Sequence, residues 1–237
     1  MQPIFAIGDV HGELTLLKEM LTNWDVENEQ LVFVGDLIDR GEDPAGVVKV
    51  AKQLVDTHNA IVLRGNHEQM LLDWLQDPEE KMNYYTSQGG LKTIQSFLAD
   101  KLTKELTPIE LADALYQEAG AYISFIAALP FYYEKEDYFF VHAGVDLDLA
   151  DWRQTPDKDL IWIREPFLFG ENHTDKTFVF GHTPVQSLHE NGSSDIWISE
   201  DKTRIDIDGG AVFGGALHGV VLTDAGISEI YTAESHK

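Results

Sequence analysis

The chain has 237 residues, no cysteine and a formal net charge of −24 at pH 7, and its length predicts one domain with an insertion and a core large enough to hold a rigid site. The lack of cysteine excludes disulfide bonds, thiolate metal ligands and a cysteine nucleophile, so any bound metal must take oxygen and nitrogen ligands. The acidic balance argues against non-specific binding to nucleic acid or to a membrane surface, and no apolar run has the length of a signal peptide or membrane span, so we expect a soluble cytoplasmic protein.

Three short apolar runs in the first part of the chain are each followed by a polar turn that contains glycine. Residues 4–7, 31–34 and 60–63 are predicted to be buried strands. Helical spacing of apolar residues separates them, over residues 13–23 and again from Pro44 onward. This alternation predicts a βαβαβ unit, whose right-handed crossovers place the carboxyl ends of the three strands at one edge of a parallel sheet.

The turns after these predicted strands carry side chains of the types that bind hard or borderline metal ions. Asp9 and His11 follow the first strand, and in extended backbone they would face the same way. Asp36 follows the second strand and Asn66 follows the third. Because the strand ends share one edge, these four side chains can converge although they are far apart in sequence.

Residues 77–130 interrupt the alternation and are predicted to form a mainly helical insertion. Thr107 and Glu110 have the spacing of a capping box, with Pro108 at the first helical position, so we expect a helix to begin there. The tyrosines of this region could line a substrate rim, but we favour a packing role for Tyr84, Tyr85, Tyr116 and Tyr122.

The second half of the chain repeats the pattern of a strand followed by a histidine and a glycine turn. Residues 131–134 and 138–141 predict a hairpin that leads to His142, and a strand at residues 178–180 leads to His182. Taken singly, each of these histidines would more often be a core or turn residue than a metal ligand. The remaining alternating runs predict an antiparallel sheet and comprise residues 195–198, 204–207, 217–222 and 227–231.

Five polar motifs follow one another along the chain: Asp9-x-His11, Gly35-Asp36-x-x-Asp39-Arg40-Gly41, Arg64-Gly65-Asn66-His67-Glu68, His142-Ala143-Gly144 and Gly181-His182-Thr183. Together they resemble the metallophosphoesterase signature. The second and third motifs resemble the phosphoprotein phosphatase family of calcineurin-like enzymes, in particular the compact bacterial and phage-lambda-type serine/threonine phosphatases. The resemblance implies a four-layer α/β/β/α sandwich, with two mixed β-sheets flanked by helices and a two-metal centre at the sheet ends.

The resemblance also assigns metal ligands, residue by residue. Asp9 and His11 would bind the first metal, and Asp36 would bridge the two ions. The second metal would be completed by Asn66, His142 and His182. The implied cofactors are two divalent metal ions, with manganese expected and iron or zinc as alternatives.

The remaining roles implied by the resemblance concern the transferred phosphate. His67 would be the general acid that protonates the leaving alkoxide, with Asp39 holding its imidazole. Arg40 and Arg164 match the phosphate clamps of the family, although the segment around Arg164 lacks a tight glycine frame. We expect Arg64 to support the loop rather than to take part in the chemistry.

The implied function is hydrolysis of phosphoric esters by direct in-line attack of a hydroxide held by the two metals. A serine/threonine protein phosphatase is the leading hypothesis, because Asp39, Glu68 and Thr183 fit that form. The alternative is a symmetrical bis(5'-nucleosyl)-tetraphosphatase. A catalytically inactive metal-binding scaffold is a third hypothesis, and the intact ligand positions argue against it. The expected partner is a phosphorylated protein or nucleotide substrate, and no regulatory subunit is implied.

Overall fold

Two β-sheets and the helices around them make up the computed structural model, which describes residues 1–99 and 106–235. In chain order, the strands are β1 (Ile4–Ile7), β2 (Gln30–Phe33), β3 (Ile61–Val62), β4 (Tyr132–Lys135), β5 (Tyr138–Val141), β6 (Thr177–Phe180), β7 (Trp197–Ile198), β8 (Arg204–Asp206), β9 (Ala216–Thr223) and β10 (Gly226–Glu234). The α-helices are α1 (Leu14–Met20), α2 (Pro44–His58), α3 (Asn66–Gln76), α4 (Pro78–Ser87), α5 (Gly90–Leu98), α6 (Pro108–Ala127), α7 (Asp157–Leu160) and α8 (Glu165–Phe169).

The first sheet has the strand order β10-β9-β1-β2-β3, and the second has the order β4-β5-β6-β8-β7. Strands β1, β2 and β3 are parallel, which confirms the predicted βαβαβ unit. Strands β9 and β10 extend this sheet in antiparallel pairing. The second sheet joins the parallel pairs β5-β6 and β6-β8 to the antiparallel pairs β4-β5 and β7-β8. Both sheets are therefore mixed, as predicted.

The prediction of one antiparallel sheet at the C-terminal end is wrong. Strands β7 and β8 belong to the second sheet, where β8 lies parallel to β6. Strands β9 and β10 cross to the first sheet and pair beside β1. Alternating apolar residues indicate a strand but do not specify its neighbour, and β8 and β9 are separated by a 3₁₀ turn at Ala211–Phe213 where the chain changes sheet.

Alternation of side chains along β1 explains the layered packing. Ile4 and Ala6 point between the two sheets and pack with apolar side chains of β5, β6 and β8. Phe5 and Ile7 point the other way, into the core formed with α1 to α6. On the outer face of the second sheet, β5 and β6 pack against α7 and α8 in a separate cluster. The four-layer α/β/β/α arrangement is therefore confirmed.

The helices begin where the sequence signals place them. In α2, the Asp43 carboxylate accepts a hydrogen bond from the backbone N–H of Gly46 at 2.8 Å. The capping box of Thr107 and Glu110 at the start of α6 is confirmed. Helices α4, α5 and α6 occupy most of the described part of residues 77–130, while residues 100–105 of the predicted insertion lie outside it. Every described helix is too short or too polar to cross a membrane.

The tyrosines of this helical region divide between the core and the surface. Tyr85 is fully buried, and Tyr122 is half-buried with its ring centroid 5.8 Å from that of Phe97. The packing interpretation is wrong for Tyr84 and Tyr116, which are each 49 % exposed. These two rings extend from the solvent side of α4 and α6, and aromatic content alone did not reveal which side of a helix each ring occupies.

Candidate metal centre and active site

Polar loops that follow five strands meet at one edge of the sandwich. The loops after β1, β2 and β3 come from the first sheet, and the loops after β5 and β6 come from the second. They bring together eight predicted site residues, each at most 6 % exposed: Asp9, His11, Asp36, Asp39, Asn66, His67, His142 and His182. Burial of so many polar groups is unfavourable unless they have partners, so this cluster is a built site and not a solvated surface.

The backbone of these loops is strained at the site. Positive φ angles occur at His11, Asp36, Asp39 and Arg40 (43°, 50°, 69° and 67°) and at His182 (69°). Each such conformation costs about 1–3 kcal/mol and persists only where surrounding contacts impose it. The Asp36 carbonyl supplies such contacts, because it accepts hydrogen bonds from the backbone N–H groups of Val10 and His11. The extended backbone considered for Asp9 and His11 is therefore not found.

Three lone-pair atoms converge where the two sheets meet. His142 Nδ1 lies 2.9 Å from the Val34 carbonyl oxygen, which can only accept, so Nδ1 carries the proton. Burial lowers the pKa of His142 and favours the neutral ring, whose Nε2 then has a free lone pair. That Nε2 lies 2.9 Å from Asn66 Oδ1 and 3.5 Å from Asp36 Oδ1. Lone pairs facing one another are what a cation requires, so the donor set fits a metal ion.

His182 completes this group from the opposite loop. Its Nδ1 lies 2.9 Å from the same Asn66 oxygen, and its Nε2 is buried without a hydrogen-bond partner. Burial is the main reason that the pKa of His182 lies well below its usual value, which favours the neutral ring. Ligand atoms of Asp36, His142 and His182 lie within 4.8 Å of one another.

A second group of possible ligands shares Asp36. His11 Nδ1 donates to the Ile38 carbonyl at 2.8 Å, which leaves Nε2 with a lone pair 3.5 Å from Asp36 Oδ2. His67 Nε2 lies 4.0 Å from the same Asp36 oxygen, and the ligand atoms of His11, Asp36 and His67 also lie within 4.8 Å of one another. Asp36 thus offers one oxygen to each group. We refer to the five residues His11, Asp36, Asn66, His142 and His182 as the ligand cluster.

Asp9 lies outside both of these groups among the residues that the structure describes. Its carboxylate accepts the backbone N–H of His182, at 3.1 Å and 3.3 Å for the two oxygens. The structure therefore places Asp9 against the loop of His182. Its place in the first metal site stays a prediction.

His67 and Asp39 form a buried pair beside the ligand cluster. His67 Nδ1 lies 2.6 Å from Asp39 Oδ2, and the other Asp39 oxygen accepts hydrogen bonds from Tyr85 and Thr93. Burial lowers the pKa of His67, but the charge of Asp36 and the hydrogen bond to Asp39 outweigh burial and raise it. The raised pKa favours a protonated imidazole.

Tyr85 and Thr93 are functional candidates that the sequence interpretation missed. The sequence pattern does not distinguish Tyr85 from the other three tyrosines of the helical region, and Thr93 belongs to no motif. One signal was available for Thr93, because it lies on the same buried face of α5 as Ile94 and Leu98. A hydroxyl on an otherwise apolar helix face needs a buried partner, and here that partner is Asp39.

The two predicted phosphate clamps differ in their positions. Arg40 is half-buried, with Nη1 2.6 Å from His11 Nε2 and its guanidinium 5.2 Å from the centroid of the Phe213 ring. Arg164 is exposed. Its charge nevertheless helps to lower the pKa of His182, after burial and the charge of His142, so it lies near the cluster.

Arg64 and Glu68 form hydrogen bonds that support the turns after β2 and β3. Arg64 donates hydrogen bonds to Gln69 Oε1 at 3.0 Å and to the Ala127 carbonyl at 2.7 Å. The Glu68 carboxylate accepts three backbone N–H groups, from Gly65, Asp36 and Leu37, at 2.8 to 2.9 Å. Both side chains therefore hold the turns that carry the ligand cluster.

Similarity to known proteins agrees with this geometry. The chain matches the family model described as calcineurin-like phosphoesterase over residues 2–215. The chain belongs to this family. It is an enzyme family that hydrolyses phosphoric esters, and this match confirms the resemblance drawn from the five motifs.

Relatives within the family carry different names. The chain is 29 % identical over 227 residues to serine/threonine-protein phosphatase 1 of Salmonella typhimurium, which covers 90 % of this chain and 89 % of the relative. It is 27 % identical over 241 residues to the asymmetrical bis(5'-nucleosyl)-tetraphosphatase PrpE of Oceanobacillus iheyensis, with coverage of 90 % and 86 %. Among solved structures, a candidate diadenosine tetraphosphatase superimposes with a TM-score of 0.68 at 19 % identity, covering 99 % of this chain and 94 % of that one. This last similarity supports the fold alone.

The electrostatics of the site suit a metal-dependent member of the family. Burial, followed by the charges of Asp208 and Asp36, raises the pKa of Asp9 well above its usual value. Burial likewise raises the pKa of Asp208 to about 6. Buried carboxylates are thus crowded beside neutral histidines, and divalent cations are the charges that would stabilise the carboxylates as anions.

Proposed function

We propose that this protein is a metal-dependent phosphatase that removes phosphate from serine and threonine residues of proteins. The observation that carries the proposal is the convergence of lone pairs from Asp36, Asn66 and His142 next to the buried His67–Asp39 pair. One group can hold cations and the other can donate a proton. Hydrolysis of a phosphoric ester with an alkoxide leaving group uses both functions.

Two divalent ions would be held by side chains from five loops. We assign Asp9 and His11 to the first ion, Asp36 to both ions, and Asn66, His142 and His182 to the second. When bound, the ions supply an activated water as nucleophile and neutralise charge on the phosphoryl oxygens. Manganese is the expected metal because carboxylate, amide and imidazole ligands suit it, and the same ligands also accept iron or zinc.

His67 is assigned as the general acid for the leaving oxygen. Its Nδ1 is engaged by Asp39, so its Nε2 is the atom that faces the ligand cluster, 4.0 Å from Asp36 Oδ2. As the bond from phosphorus to the leaving oxygen breaks, the Nε2 proton moves to that oxygen and releases an alcohol. Asp39 keeps the imidazole in the orientation and protonation state for this transfer.

Arg40 and Arg164 are assigned to the phosphoryl oxygens. A guanidinium group can donate two parallel hydrogen bonds to phosphate, which positions it for in-line displacement. Arg40 already contacts His11 of the ligand cluster, whereas Arg164 is exposed and its charge acts on His182. Arg40 would therefore act on the bound phosphate from within the site and Arg164 from its edge.

A bis(5'-nucleosyl)-tetraphosphatase is the second candidate function. Relatives of similar coverage carry this name, and shorter matches of about 70 residues are to symmetrical enzymes. Phe213 adds a structural reason, because its ring is 64 % exposed and lies beside Arg40. An exposed ring next to a phosphate-binding arginine can stack a nucleobase.

Three substrates separate these candidates when they are offered to chelator-treated and manganese-loaded protein. We expect manganese-dependent hydrolysis of p-nitrophenyl phosphate and a higher kcat/KM for a phosphoserine peptide than for diadenosine tetraphosphate. A preference for the dinucleotide would favour the second candidate. No metal-dependent turnover of any of the three would overturn the assignment as a phosphatase.

A further inference from the structure

The junction of α4 and α5 packs directly on the His67–Asp39 pair. We define the α4–α5 segment as residues 85–93, which contain the end of α4, the Gly89–Gly90 turn and the start of α5. We propose that Tyr85 and Thr93 in this segment are positioning residues, which fix Asp39 so that His67 delivers its proton to the leaving oxygen. The inference rests on the general-acid role assigned to His67 above.

The hydrogen bonds around Asp39 divide its carboxylate between two tasks. Oδ1 accepts the Tyr85 hydroxyl at 2.8 Å and also the Thr93 hydroxyl. Oδ2 faces His67 Nδ1 at 2.6 Å. All four residues are at most 1 % exposed. Because Oδ1 is held by two hydroxyls, the carboxylate cannot rotate without breaking buried hydrogen bonds, and Oδ2 stays directed at the imidazole.

The same segment fixes the backbone of Asp39 and Arg40. The Thr93 hydroxyl accepts the backbone N–H of Asp39 at 2.9 Å, and the Gly89 carbonyl accepts that of Arg40 at 3.2 Å. Both of these non-glycine residues have positive φ angles, a conformation that needs such restraint. Thr93 therefore holds both the backbone and the carboxylate of Asp39.

The glycines of the segment allow this close approach. A Cβ atom at Gly89 would lie 2.6 Å from Arg40 Cγ, and Gly89 has a φ of 98°. A Cβ atom at Gly90 would lie 2.5 Å from the Tyr85 ring. A side chain at Gly89 would collide with Arg40, and one at Gly90 would displace the Tyr85 ring that donates to Asp39. The packing is thus built for contact with the catalytic loop.

A purely structural role for Tyr85 and Thr93 predicts a different outcome from a positioning role. An alkoxide leaving group needs a proton from His67, whereas p-nitrophenolate is stable enough to leave with little help. Loss of positioning should therefore harm hydrolysis of alkyl phosphates and spare p-nitrophenyl phosphate. General destabilisation would harm both.

The test compares kcat for a phosphoserine peptide and for p-nitrophenyl phosphate in manganese-loaded Tyr85→Phe and Thr93→Val. We expect kcat on the peptide to fall about tenfold in each variant, as the loss of a hydrogen bond to a charged group implies, with KM unchanged. Hydrolysis of p-nitrophenyl phosphate should stay within about twofold. Thr93→Ser, which keeps the hydroxyl, should retain most of the activity. The matched controls are Tyr84→Phe, at an exposed ring, and Thr57→Val, at an exposed helix position.

A second measurement does not depend on turnover. The Nδ1 proton of His67 should exchange faster with solvent in zinc-loaded Tyr85→Phe and Thr93→Val than in the zinc-loaded wild-type protein, as followed by proton NMR, because Asp39 is less restrained. Metal content by elemental analysis should be unchanged.

His67→Asn serves as the reference, and it separates failure of this inference from failure of the acid assignment. If His67→Asn discriminates between the two substrates and the Tyr85 and Thr93 variants lose both activities equally or neither, the positioning role is overturned alone. If His67→Asn does not discriminate, the general-acid role fails and this inference fails with it. Should Thr93→Val not fold, Tyr85→Phe and Thr93→Ser still decide the outcome.

Discussion

The ligand cluster and the α4–α5 segment lie on two sides of one site and are built in different ways. The cluster consists of histidines and an aspartate on short loops at strand ends, several with positive φ angles, and an asparagine at the start of α3. The segment contacts the site through a tyrosine, a threonine and a glycine at the ends of two helices. The cluster is suited to bind the reacting groups, and the segment is suited to hold them still. Residue type therefore indicates the binding function from the sequence, whereas the positioning function is visible only in the packing.

Asp36→Asn should have the largest effect, because it changes the one residue that both ligand groups share. The amide has one oxygen instead of two and carries no charge, so both metal positions should empty or weaken and turnover should fall to that of metal-free protein. Metal content by elemental analysis and hydrolysis of p-nitrophenyl phosphate are the measurements. A variant that keeps two ions per chain would contradict the bridging role.

His67→Asn should separate proton donation from metal binding. We expect kcat on a phosphoserine peptide to fall by about 10²–10³, because a positioned general acid contributes a factor of this order. Metal content should stay at the wild-type level, since we do not assign His67 as a metal ligand. His67 also lies within 4.8 Å of the His11 and Asp36 ligand atoms. Loss of metal in this variant would therefore reassign it to the ligand cluster.

Asp39 links the α4–α5 segment to His67, and Asp39→Asn tests this link through the pH dependence of kcat. The pKa of His67 is raised because Asp36 and Asp39 outweigh the effect of burial. A general acid works while it is protonated, so a raised pKa extends activity to higher pH and activity is lost as pH rises through it. Removing the charge of Asp39 lowers that pKa, and the alkaline limb of kcat for an alkyl phosphate should move to lower pH. Asparagine tolerates the positive φ at this position. If the alkaline limb stayed in place or moved to higher pH, the charge of Asp39 would not be a cause of the raised pKa of His67.

Arg164→Ala should have the smallest effect of the four. The side chain is exposed, so the free energy of unfolding should change by less than about 0.5 kcal/mol. We expect KM for a phosphoserine peptide to rise about tenfold, because a charge-assisted hydrogen bond to the phosphate is lost. Steady-state kinetics and a thermal melt check both statements. An unchanged KM would remove Arg164 from the phosphate site.

Much of the fold could be predicted from the sequence, because its strands are marked locally. Apolar runs that end in glycine turns predict β1, β2 and β3, and the short helical connections between them require parallel pairing. The partners of β8 and β9 were not predictable in the same way. Pairing between strands distant in sequence depends on how the two sheets pack, and the alternating pattern of apolar residues does not specify that pairing.

The candidate site was predicted in its residue types but not in its local geometry. The recurrence of a histidine or an acidic residue after predicted strands indicates the ligand cluster. The left-handed backbone at His11 could not be predicted, because it depends on the carbonyl of Asp36 in another loop. Tyr85 and Thr93 were missed because tyrosine and threonine are common in helices. Only their hydrogen bonds to Asp39 indicate that they belong to the site.

The most direct test of the metal centre is anomalous diffraction from crystals of the protein grown with manganese. We predict two anomalous peaks about 3.5–4 Å apart, with Asp36 between them. His11 should lie beside one peak and Asn66, His142 and His182 beside the other, while His67 contacts neither. A single peak, or a metal bound to His67, would contradict the proposed division between ligands and acid.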